Sequence, residues 1–157
     1  MVSCVVDKWN ELLKTADPQE VIRWLLSEFQ VRYVALSSSL GAEDQVLTDM
    51  LLKENKMARI FTLDTGRLPQ ETYDVMMKTM THYGMHFEVL CPSDVEVSQL
   101  VGTFGPNLFY ESVEKRKQCC QVRKIAPLTK QLSTLSAWIC GLRKEQSVTR
   151  THVQKVE

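Results

Sequence analysis

Apolar residues recur at helical spacing through the first thirty positions, as Trp9, Leu12 and Leu13 and then Val21, Ile22, Trp24, Leu25 and Phe29. Asp17-Pro18 starts the second of these helices, with Asp as the cap and Pro in the first turn. The period then changes. Residues 32–36 (RYVAL) read as a short buried strand, the small-residue turn Ser37-Ser38-Ser39-Leu40-Gly41 follows, and 43–55 is a helix with Val46, Leu47, Met50 and Leu51 on one face. The cycle repeats with a strand at 58–63, the turn Asp64-Thr65-Gly66-Arg67, and a helix at 69–82 with Pro and Glu in its first turn. A third strand at 87–90 leads into a helix at 93–101, and the run GTFGP breaks the chain. Residues 111–132 read as helical, interrupted near the Cys pair and Pro127, and 137–140 (AWIC) form a fourth strand. Trp138 and the methionines Met76, Met77, Met80 and Met85 are assigned to the core, and Cys91 and Cys140 to buried strand ends.

Strands alternating with helices predict an α/β fold, a mainly parallel sheet flanked by helices with right-handed crossovers. In such open sheets ligands bind outside the carboxyl ends of the strands. Three turns leave strands there, SSSLGAED, LDTGR and CGLRKEQSVTR, and they are expected to converge on one crevice.

A length of 157 residues with 44% hydrophobic content suits one folded domain. Lys+Arg and Asp+Glu both number 19, so the net charge of zero argues against a general nucleic-acid or membrane-surface binder. No apolar run approaches a membrane span, and MVSCVVDKWNELLK lacks the pattern of a signal peptide, so the expected compartment is the cytoplasm. There, five cysteines point toward metal binding or redox chemistry rather than a disulfide framework.

The first turn, from Ser37 to Asp44, offers backbone N–H groups, hydroxyls and the positive end of the next helix to a tetrahedral anion. It lacks the GxxxxGK[ST] pattern, so a phosphate or sulfate ester fits better than a triphosphate. Taken alone, the run is read more simply as a serine-capped helix after a strand. Leu63-Asp64-Thr65-Gly66-Arg67 places an acid, a hydroxyl and a forked cation just past a strand, and is also an ordinary tight turn with a surface Arg. Cys119-Cys120 lies among Lys115, Arg116, Lys117, Arg123 and Lys124, a setting that favours thiolates and hence soft metals or iron–sulfur clusters. Two chance cysteines on a basic helix remain the plain alternative. The third turn, from Gly141 to Arg150, is either an anion clamp or a solvated basic loop.

Taken in order, SSSLGAED, LDTGR with Pro-x-Glu-Thr-Tyr after it, CCQVRKIAPL and AWICGLRKEQSVTR resemble the assimilatory sulfonucleotide reductases over about residues 30 to 150. The resemblance implies a fold like that of the adenine nucleotide alpha-hydrolases, related to the PP-loop proteins, with 1–30 as a helical lead-in to a family-like core at 31–150. It implies reduction of adenylyl sulfate, or of its 3′-phosphorylated form, to sulfite with a thioredoxin-like donor. Adjacent cysteines at this point resemble the adenylyl sulfate branch, which holds a [4Fe-4S] cluster through such a pair and a later CxxC. By position, Ser37, Ser38, Ser39 and Gly41 would belong to the substrate loop, Leu63, Asp64, Thr65, Gly66 and Arg67 would lie along the nucleotide, and Lys124 would stand between cluster and substrate. Gly141, Arg143, Gln146 and Arg150 would grip phosphate and sulfate. Neither the second CxxC nor the family's nucleophilic Cys is matched by any of the five cysteines. The expectation is therefore a C-terminally truncated chain that binds nucleotide, holds a cluster poorly through Cys119 and Cys120, and oligomerises if core surface is left uncovered. The alternatives are a 3′-phosphoadenylyl sulfate reductase and a non-catalytic sulfonucleotide-binding module.

Overall fold

The computed structural model describes residues 2–142 and 154–157. Two helices, α1 (Val2–Leu12) and α2 (Pro18–Glu28), lead into β1 (Val34–Ser37), α3 (Ala42–Glu54), β2 (Arg59–Leu63), α4 (Gln70–Tyr83) and β3 (Glu88–Leu90). After these come α5 (Asp94–Phe104), α6 (Val113–Cys120), α7 (Ala126–Leu132) and β4 (Ala137–Cys140). The start of α2 is as its sequence dictates. Asp17 accepts the Glu20 N–H at 2.8 Å and Glu20 accepts the Asp17 N–H at 2.8 Å, a reciprocal cap with Pro18 in the first turn. Trp9 stacks edge-on against Trp24 and Phe29, closing the α1–α2 hairpin.

The four strands form one sheet in the order β3-β2-β1-β4, and every pairing is parallel. Ala35 and Leu36 in the central β1 are fully buried, and the core gathers Leu36, Leu51, Leu52, Ile60 and Phe87. Ile22 of α2 belongs to that core, and Arg23 and Gln19 bind Glu54, so the lead-in packs as part of the domain. The chain moves outward from β1 to β3 and then returns to the far side of β1 as β4. This reversal puts the switch point, where such sheets bind ligands, between the carboxyl ends of β1 and β4.

Four details differ from the expected pattern. From Val113 to Leu132 the chain does not break: α6 passes through a π turn at Gln121–Ile125 straight into α7. Pro127 cannot donate and its ring crowds the preceding turn, and the wider turn lets the helix pass it. Cys91 is exposed and Cys140 only half-buried, because both lie just where strands leave the sheet. Trp138 is 43% exposed, since β4 is an edge strand. Met77 is exposed while Met76, Met80 and Met85 pack on the core, as expected for successive positions around a helix.

Candidate functional site

The first turn is held together from within. The Ser38 hydroxyl accepts the Leu40 N–H at 3.1 Å, and Leu40 adopts a left-handed conformation at φ 66°, rare for a residue with a side chain. The N–H and hydroxyl of Ser39 both donate at 2.6 Å to one oxygen of Asp44, a carboxylate 7% exposed in the first turn of α3. Two donors assigned to an incoming anion are thus engaged by the chain's own acid. Asp44 is the residue that the pattern of serines hides. Its signal is the spacing Gly41-x-x-Asp44, which places an acid where helix N-termini take a reciprocal cap.

The third turn meets the first at this carboxylate. A Cβ built on Gly141 would fall inside contact distance of the Asp44 Oδ1 and lie 3.3 Å from Glu43 Cβ. Gly141 is therefore required for close backbone approach, and Arg143, Gln146 and Arg150 lie outside the described residues.

The second turn is fastened on three sides. Asp64 Oδ1 accepts the Gly66 N–H at 2.8 Å, with Gly66 at φ 70°, and the Tyr73 hydroxyl donates to Asp64 at 3.0 Å from each oxygen. That hydrogen bond, with burial second, holds the Tyr73 phenol above its usual range. Arg123 donates to the Thr65 carbonyl at 2.7 Å. Arg67 donates to Pro106 O at 2.6 Å and Asn107 Oδ1 at 3.1 Å, with its guanidinium 4.9 Å above the Phe109 ring. Leu63 ends β2, half-buried, directly before this turn.

Thr65 and Arg67 open onto a cavity of about 430 Å³ whose other walls are Cys119, Cys120, Arg123 and Lys124, rimmed by Arg116 and the rings of Phe109 and Tyr110. Arg123 is not the surface base its neighbours in sequence suggest. It is 8% exposed, and among the described residues its Nε has no partner. Cys119 is 8% exposed and packs with Leu100 and Leu108, while Cys120 is half-buried. Both thiols border the cavity, so the pair fits as two thiolate ligands of an iron–sulfur cluster. Among the described residues no third His, Cys, Asp or Glu joins them. A larger cavity of about 560 Å³ between the end of β3 and α7 mixes Glu96, Asp94 and Lys130 with prolines and lacks this cationic lining. The expected single crevice is thus drawn by the described contacts as two joined pairs: second turn with cysteine helix, and first turn with third.

Fold and site define a parallel α/β domain with turn-built sites at the carboxyl ends of its strands, one of them strongly cationic. Residues 33–157 match the model of the phosphoadenosine phosphosulfate reductase domain, and the chain belongs to that family. It is 46% identical over 120 residues to the adenosine 5′-phosphosulfate reductase of Allochromatium vinosum, covering 76% of this chain and 47% of that protein. It is 37% identical over 157 residues to adenosine 5′-phosphosulfate reductase 2 of Bacillus subtilis, covering 96% and 64%. The chain thus spans about half the length of the first of these relatives and under two thirds of the second. The crystal structure of the phosphoadenylyl-sulfate reductase of Candida auris superposes with a TM-score of 0.72 at 25% identity, over 91% of this chain and 69% of that one.

Proposed function

We propose that this chain, as one sulfonucleotide-binding domain, is the nucleotide-binding part of an adenylyl sulfate reductase. That activity cleaves adenylyl sulfate to sulfite and AMP while a thioredoxin-type dithiol is oxidised to a disulfide. The observation that carries the reading is the cavity that Thr65, Arg67 and Lys124 share with the adjacent thiols Cys119 and Cys120. Cationic groups in a partly closed cavity stabilise a sulfate ester far better than they would in water. In this reading Ser37, Ser38, Ser39 and Gly41 shape the first turn for the nucleotide, and Leu63 to Arg67 run along it. Lys124 neutralises the sulfate end, and Gly141, Arg143, Gln146 and Arg150 bind the phosphate and sulfate. Cys119 and Cys120 would hold one side of a [4Fe-4S] cluster, which when bound supplies a charged, polarisable centre beside Lys124. A cytoplasmic setting agrees with the use of five cysteines for metal binding or redox chemistry rather than a disulfide framework. The names of the relatives above favour adenylyl sulfate over the 3′-phosphorylated substrate.

Calorimetric titration of the purified chain with adenylyl sulfate, its 3′-phosphorylated analogue and AMP tests the reading. Selective binding of adenylyl sulfate is expected. Equal binding of both sulfonucleotides removes the substrate assignment. No binding by a chain that melts cooperatively removes the nucleotide-binding reading and favours a decayed module.

A further inference from the structure

The run Pro-x-Glu-Thr-Tyr that trails the second turn has so far served only to open α4. Its last residue reaches back to the turn itself. Tyr73 sits one turn into α4, where side chains lean toward the helix N-terminus, so its phenol meets Asp64 nine positions earlier. The hydroxyl lies 3.0 Å from both carboxylate oxygens, and Oδ1 also closes the local ring with the Gly66 N–H at 2.8 Å. A hydrogen bond to a charged acceptor is about twice as strong as a neutral one, so this contact fixes the carboxylate and, through it, the left-handed Gly66. Thr65 and Arg67, on either side of Gly66, are the two residues of the turn that line the cavity. The remaining anchors act on its neighbours: the Thr65 hydroxyl accepts the Arg67 N–H at 3.3 Å, Arg123 holds the Thr65 carbonyl, and Pro106 and Asn107 hold the Arg67 fork. Only Asp64 restrains the Gly66 amide among the described contacts, and Tyr73 restrains Asp64.

We propose that Tyr73 is a positioning residue for the cationic cavity, holding the 64–67 turn through Asp64 in the conformation that presents Thr65 and Arg67. The proposal rests on the adenylyl sulfate reading only for the identity of the ligand. The turn-holding role is tested without one.

The 157-residue chain is compared with Tyr73→Phe, Asp64→Asn and the double variant by amide hydrogen exchange. Tyr73→Phe keeps the ring, so a packing role would leave the turn untouched. The expected result is exchange at Gly66 faster by about tenfold, the value of one hydrogen bond to a charged group, with Ala35 and Leu36 in β1 unchanged. In the Asp64→Asn background the same substitution is expected to add less than about twofold, since the coupled partner is already altered. Should Asp64→Asn fail to fold, Asp64→Ser takes its place. Unchanged exchange at Gly66, or an equal acceleration with and without the Asp64 carboxylate, overturns the proposal. Calorimetry with adenylyl sulfate then reads the consequence. A turn populated less of the time in its competent form weakens apparent affinity in proportion, here by about three- to tenfold. Undiminished affinity in Tyr73→Phe overturns the link between turn and ligand. A wild-type chain that binds no adenylyl sulfate overturns the functional reading alone, because the exchange result judges Tyr73 with no ligand present.

Discussion

Gly141→Ala places a single methyl group against the buried carboxylate that joins the first and third turns. The new Cβ meets the Asp44 Oδ1 well inside van der Waals contact, with Asp44 Cγ at 3.4 Å and Glu43 Cβ at 3.3 Å closing the other directions. To reach ordinary separation the carboxylate must retreat by roughly 1 Å. That retreat stretches both 2.6 Å bonds from Ser39 beyond useful range. Losing hydrogen bonds to a buried charge, with partial relaxation, costs about 2–4 kcal/mol. For a chain of this size about 1 kcal/mol moves the melting temperature by roughly 2–4 °C, so the predicted loss is about 4–16 °C. Scanning calorimetry measures it, with Gly102→Ala as the control. Gly102 lies inside α5 with nothing within 4 Å of its added Cβ, so there Ala raises stability by up to about 1 kcal/mol. The mechanism also requires that Gly141→Ala lose most of its effect once Asp44→Ala has removed the obstructing carboxylate. A melting temperature within about 2 °C of wild type, or an undiminished effect in the Asp44→Ala background, would refute the reasoning.

Arg123→Met should leave stability within about 1 kcal/mol of wild type, because the lost bond to Thr65 O is offset by relief of a desolvated Nε that has no partner among the described residues. Calorimetric affinity for adenylyl sulfate should fall by roughly tenfold, since one hydrogen bond to a charged group is worth about that factor; a large drop in melting temperature with unchanged affinity would reverse the assignment. Asp17→Ala removes one half of the reciprocal cap of α2 and should cost about 1 kcal/mol by urea titration. Arg59 holds the Glu88 carboxyl below its ordinary range through paired hydrogen bonds at 2.6 and 2.9 Å. A depressed carboxylate stabilises the fold above its unfolded pKa, and the contribution disappears as pH falls through the folded value. Glu88→Gln should therefore be the less stable chain at pH 7, with the gap narrowing below about pH 4. A gap that does not change between pH 7 and 3 contradicts the assignment.

The order of strands and helices was legible because each strand is a short, mostly apolar run set between helical stretches and turns of small or polar residues. The Asp17-Pro18-x-Glu20 start carries its own mechanism. The pairing of LDTGR with the Cys pair followed only from the resemblance, since no periodicity says that residues 65 and 120 share a cavity. Arg123 escaped for a different reason. In sequence it is one base among five, and only the widened helix turns it inward to Thr65. Trp138 and Cys91 were misread because burial was inferred from residue type, whereas exposure is decided by position at a sheet edge or strand end. Asp44 went unassigned because an acid at a helix start has an ordinary explanation, and its reach to Ser39 depends on the left-handed Leu40 between them.

The π turn at 121–125 acts as a phase shifter. One residue more per turn rotates everything beyond it by about 100° relative to an unbroken α-helix. In the observed phase Cys119 and Cys120 face the cavity while, on the far side of the turn, Gln131 of α7 donates to Glu88 of β3 at 2.9 Å. Deleting any one residue between 121 and 125 would restore ordinary helical pitch, and then only one of these two seatings could survive. Hydrogen exchange of such a deletion would show which half stays protected. The helix is thus a coupling between two angular settings, and both seatings hold together only while that phase difference is kept.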